Sequence, residues 1–174
     1  MRSLVVYESF FGCTQQIAEA IGAGLSEYGT VRVLPVAETR DEPVAGVDLL
    51  VVGGPTHAHA MSSEHSRETA VERGASGSSA GSPDFGLREW FDALPVASGS
   101  AAAFDTRIDG AALMTGRASK GIASRLRRHG FDVVTDPESF LVHHDQLLDG
   151  EEARARTWAA ELGRTVAGRV SPSS

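Results

Sequence analysis

The apolar positions of this chain alternate between two periods. Ser3 to Tyr7 is a short apolar run, β-branched at Val5 and Val6, and reads as a buried strand. From Thr14 the period lengthens: Ile17, Ala18, Ile21 and Leu25 fall on one face of a helix. Val31 to Val36 is a second strand after the turn Tyr28-Gly29-Thr30. Asp48 to Val52 is an unbroken apolar strand of the kind buried on both faces of a parallel sheet. Leu87, Trp90, Phe91 and Leu94 recur at helical spacing up to Pro95, with Trp90 and Phe91 expected in the core. Ala101 to Phe104 and Phe131 to Val134 give strands four and five, and Pro137 to Val142 a further extended piece. Helices are expected from Ala118 to His129, with Ile122, Ala123 and Leu126 facing in, and from Asp149 to Val166. A weaker helix is expected from Ser62 to Gly74. Strands and helices alternating at this spacing make an α/β sandwich.

Composition narrows the function classes. The chain has 174 residues, enough for one domain with a full core, assigned to 1–168 with a tail at 169–174. The Gly/Ser-rich run at 74–83 cannot pack a core and is expected to be a mobile loop within that domain. No run approaches the length of an apolar membrane span, no apolar signal core opens the chain, and a cytoplasmic protein is expected. The single cysteine, Cys13, rules out an internal disulfide and a multi-thiolate metal site. Net charge is −7, yet Arg117, Lys120, Arg125, Arg127 and Arg128 gather on one helix without an acid. With the rest of the chain so acidic, that stripe reads as a solvated face and not as a nucleic-acid site.

Chemistry concentrates between the first strand and the first helix, in Glu8-Ser9-Phe10-Phe11-Gly12-Cys13-Thr14. A strand that feeds a tight loop opening a helix presents free first-turn N–H groups and the positive end of the helix dipole. Gly12 allows close backbone approach, and the hydroxyls of Ser9 and Thr14 can donate to an anion. The loop lacks the Gly-Lys-Ser/Thr of a P-loop and the Gly-x-Gly-x-x-Gly of a dinucleotide site.

Val5, Val6, Tyr7, Ser9, Gly12, Thr14, Ala18 and Ile21 together resemble the flavodoxin signature. The resemblance implies a three-layer sandwich around a five-stranded parallel sheet of order 2-1-3-4-5. It also implies FMN, its phosphate cradled by Ser9 to Thr14 with the N–H groups of Phe11, Gly12 and Cys13. Phe11 stands where many flavodoxins carry a hydroxyl residue. By the same resemblance Pro55, Thr56, His57, Ala58 and His59, after Gly53-Gly54, border one side of the flavin ring, with Met61 a further candidate. Phe104, Asp105, Thr106 and Arg107 border its other edge, where Arg107 would favour reduction by its charge. Gly53, Gly54 and Pro55 are expected to turn the chain sharply out of the sheet.

No nucleophile or acid–base pair demands a catalytic role. The function implied is electron transfer between redox partner proteins, with no nucleic acid and no membrane insertion. The alternatives are an FMN-dependent reductase of a quinone or porphyrin-like substrate, and an interaction module that has lost its flavin. The pairs His57/His59 and His143/His144 (with Asp145) lack a converging ligand set, so no metal is expected.

Overall fold

The computed structural model describes residues 1–40, 44–57, 60–63, 85–110 and 116–170. The elements run β1 (Arg2–Tyr7), α1 (Cys13–Leu25), β2 (Thr30–Pro35), β3 (Leu49–His57), β4 (Ala60–Met61), α2 (Leu87–Ala93), β5 (Ser100–Ile108), α3 (Ala118–Arg128), β6 (Asp132–Val133), β7 (Glu138–His143), β8 (Gln146–Leu147) and α4 (Glu151–Val170). The expected helix at 62–74 and the Gly/Ser run lie almost wholly outside the described residues.

The sheet order is β2-β1-β3-β5-β7-β8, with β4 beside β3 and β6 beside β5. Among the described residues, every pairing of the long strands is parallel and only the short returning strands β4 and β8 are antiparallel. The expected order 2-1-3-4-5 therefore holds for the long strands. Position five is shared by two pieces, because β6 pairs with the start of β5 (Ser100, Ala101) and β7 with its end (Phe104–Ile108). The expected strand at 131–134 is thus only the first, two-residue half of that position.

Alternation along the strands builds two apolar layers. Leu4, Val6, Leu50, Val52, Ala101 and Ala103 face α2 and α3, where Leu87, Trp90, Phe91, Ile122 and Leu126 close over them. Val5, Tyr7, Leu49, Val51, Ala102 and Phe104 face α1 and α4, meeting Ile17, Ile21, Leu25, Ala155, Ala159 and Leu162. Each fully buried Leu or Ile contributes about 1.5–3 kcal/mol of transfer free energy, which is why the apolar period specifies the layers. Trp90 and Phe91 sit in the core as expected, their rings edge-on at 5.0 Å.

Two strands run further than their apolar runs. β3 continues through Gly53-Gly54-Pro55 to His57, paired residue for residue with β5 as far as Pro55 opposite Thr106. The glycines do not turn the chain; they make room on opposite faces. A Cβ on Gly53 would lie 2.2 Å from the Phe104 ring, and one on Gly54 would lie 2.8 Å from Leu87 Cδ1. β5 likewise continues through Asp105-Thr106-Arg107, so these three are strand residues on alternating faces rather than a loop.

Candidate ligand cleft at the strand ends

The crevice opens where β1 and β3 part, the switch point of the strand order, at the carboxyl ends of the strands. A cleft of about 250 Å³ lies there, lined by Ser9, Phe10, Phe11, Cys13, Thr14, Pro55, Thr56, Thr106, Arg107, Ile108, Val142, His144 and Asp145.

Its floor is the loop from Ser9 to Gly12. Gly12 takes the left-handed conformation (φ 92°) as the residue before α1, and Gln16 N–H donates to its carbonyl at 3.0 Å. Ser9 Oγ accepts from Gln15 N–H at 3.3 Å, holding the loop against the first turn. Among the described residues the N–H groups of Phe11, Gly12, Cys13 and Thr14 make no hydrogen bond. Four adjacent donors at a helix N-terminus, with no acceptor among the described residues, form a set suited to one multidentate anion. Phe10 is buried, whereas Phe11 is 40 % exposed at the lip.

Three contacts tie this loop to the rest of the cleft. Thr14 Oγ1 lies 2.8 Å from Thr106 Oγ1, and both residues are buried. The Cys13 thiol donates to the carbonyl oxygen of Asp145 at 3.2 Å. Burial first, then the Asp145 charge, pushes that thiol's pKa up, so Cys13 is held as a neutral thiol and not activated by the helix end. Asp145 belongs to the two-residue turn between β7 and β8, whose other member, His144, adopts φ 52°. The rings of His143 and His144 meet edge to face at 4.4 Å, both residues being exposed. Among the described residues no group of His, Cys, Asp and Glu side chains converges on a metal position.

The residues expected around a flavin ring divide by strand face. Thr106 lies on the α1 side and reaches the first loop rather than a far edge. Asp105 points the other way: fully buried, its Oδ2 accepts from Ser119 N–H at 2.7 Å at the start of α3. Thr56 does the same work, its Oγ1 accepting from Ala118 N–H at 2.9 Å. Phe104 is a core residue edge-on to Phe140 at 6.2 Å and does not line the cleft. Met61 is likewise buried in the core. Arg107 lines the cleft with its guanidinium turned onto its own turn, donating from Nη1 to Gly110 O at 2.7 Å and Ile108 O at 3.3 Å. Pro55 and Thr56 reach the cleft, and His57, the last residue of β3, is not among its lining residues; Ala58 and His59 lie outside the described residues. Ile108 (62 % exposed), Val142, His144 and Asp145 line the cleft without any local sequence signal for it. They arrive because β7 pairs with the extended end of β5, a pairing hidden behind Asp105-Thr106-Arg107.

Neither a protein-family model nor a curated protein matches the chain. Solved structures do. An archaeal flavodoxin aligns over 95 % of this chain and 99 % of its own at 21 % identity, TM-score 0.67. Oxidised flavodoxin 1 of Bacillus cereus aligns over 94 % and 98 % at 15 % identity, TM-score 0.67. The chain has the flavodoxin fold. A flavodoxin, WrbA-like protein of Agrobacterium tumefaciens is similar as well, over 96 % and 98 % at 16 % identity, TM-score 0.61. In this architecture the Ser9–Thr14 loop follows β1 at the strand-order switch point. Among the described residues no helix is long and apolar enough to cross a membrane.

Proposed function

We propose that this flavodoxin-like chain binds one FMN non-covalently in the cleft and carries electrons between redox partner proteins. The observation that carries the reading is the unbonded N–H set of Phe11, Gly12, Cys13 and Thr14 at the N-terminus of α1, opening into a cleft at the switch point. These groups, with the Ser9 hydroxyl, would hold the phosphate. Pro55, Thr56 and His57 would border the ring, joined by Ala58 and His59. Bound FMN supplies the redox chemistry, accepting and releasing electrons one or two at a time.

The protein's own part is binding, orientation and exclusion of water. Neutral donors fix a doubly charged phosphate without a salt bridge, aided by the helix dipole. Phe11 and Ile108, exposed at 40 % and 62 %, give the mouth an apolar rim against which a partner can close. Among the described residues that line the cleft, Arg107 and Asp145 carry the formal charges, with the Arg107 guanidinium held on the Ile108 and Gly110 carbonyls. A cytoplasmic carrier is consistent with the lone buried cysteine.

The test is the visible spectrum of the purified protein, before and after added FMN and excess dithionite. A flavin band bleached by dithionite, with no steady NAD(P)H oxidation by the protein alone, supports a carrier. Steady NAD(P)H oxidation with a quinone acceptor would make it a reductase, and a colourless protein indifferent to FMN would contradict flavin binding.

A further inference from the structure

The loop that would hold a phosphate and the hairpin that would border a ring belong to different strands, and a buried carboxylate joins them. Glu8 directly follows β1 and is fully buried. It faces the α2 and α3 side, where a Cβ built on Gly54 would lie 3.8 Å from Glu8 Cβ. There its Oε2 accepts a 2.6 Å hydrogen bond from the Ser62 hydroxyl, itself 1 % exposed. Ser62 immediately follows β4, the returning arm of the hairpin in which Thr56 pairs with Met61 and His57 with Ala60. Arg88, on α2, grips the same arm from its other side: Nε donates to Ser62 O at 2.6 Å and Nη2 to Met61 O at 2.9 Å.

Burying a carboxylate costs several kcal/mol before its partners repay it. An apolar residue would serve the sheet at least as well, since the neighbouring core is aliphatic and aromatic. What the carboxylate adds is a short directional bond to one point on the β3–β4 hairpin. We propose that Glu8 is a positioning residue: through Ser62 it fixes the hairpin bearing Thr56 and His57 relative to the Ser9–Thr14 loop. The two ends of the cleft thereby keep one spacing before any ligand arrives, which lowers the ordering cost of binding. The ligand in this inference rests on the FMN reading; the contact does not.

Ser62→Ala removes the donor with little change of volume, and Glu8→Gln keeps an acceptor oxygen without the charge. In the ligand-free protein, Ser62→Ala should speed hydrogen exchange at the amides of Thr56, His57, Ala60 and Met61 by roughly tenfold, the scale of one charge-assisted hydrogen bond. The amides of Leu4, Val5 and Val6 should stay at wild-type rates, and Glu8→Gln should exchange more slowly than Ser62→Ala. Because FMN and riboflavin share the ring, Ser62→Ala should weaken both by the same factor. Unchanged exchange at those four amides overturns the proposal, as does a loss confined to FMN, which would place the effect on the phosphate loop. Faster exchange in a protein whose wild type ignores both flavins would uphold the positioning contact and overturn only the FMN reading.

Discussion

The hydroxyls of Thr14 and Thr106 lie 2.8 Å apart across 92 residues of sequence, joining the first turn of α1 to the far end of β5. Both residues are buried, so each hydroxyl depends on the other in place of water. Thr14→Val or Thr106→Val leaves one hydroxyl stranded, and each should cost about 1–3 kcal/mol of stability. The double variant strands neither, so its loss should fall short of the sum by about 0.5–1.5 kcal/mol. Urea denaturation of the four proteins measures this; strict additivity would show that the pair is adjacent without being bonded.

Gly12 carries the conformational demand of the cradle. Its φ is 92°, and a Cβ there would meet only Gln16 Nε2 at 3.9 Å, so space is available and backbone strain is not avoidable. Gly12→Ala should destabilise by about 1–2 kcal/mol. Gly12→Asn should lose less, because asparagine tolerates the left-handed region. A loss for Gly12→Asn as large as that for Gly12→Ala in thermal unfolding would show that the left-handed backbone is not the cause.

The layers were legible from apolar period alone, because Val5, Leu50, Val51 and Ala102 sit in strands buried on both faces. The ends of β3 and β5 were not. Gly53-Gly54-Pro55 and Asp105-Thr106-Arg107 carry turn-type or charged residues, and only tertiary partners explain them: Phe104 over Gly53, Leu87 against Gly54, the start of α3 over Asp105. The strand–loop–helix junction from Ser9 to Thr14 was legible because its signature is local. The β7–β8 turn, with His144 and Asp145 at the cleft, was not, because it arrives through strand pairing alone.

Cys13 gives a pH signature. Burial, then the Asp145 charge, raises its pKa above the ordinary 9.0, so the folded protein favours the neutral thiol. The resulting stability is fully present below the unfolded thiol's pKa and is lost as pH rises through the raised folded value. Tyr7, raised by burial, Glu19 and Glu38, adds a loss of the same sign at higher pH. Cys13→Ser keeps a donor and does not titrate there, so its melting temperature should fall less than wild type's between about pH 8 and pH 10. Parallel curves for the two proteins would mean that the thiolate is as well accommodated as the thiol.

The N–H groups of Phe11 to Thr14, which make no hydrogen bond among the described residues, are the proposed seat of the FMN phosphate. Calorimetric titration of the flavin-free protein with FMN and with riboflavin, in one buffer, isolates that phosphate. Two charge-assisted hydrogen bonds should make FMN tighter by about 3 kcal/mol, roughly a hundredfold or more. Equal affinity for the two flavins, or no heat from either, would rule out phosphate binding at these N–H groups.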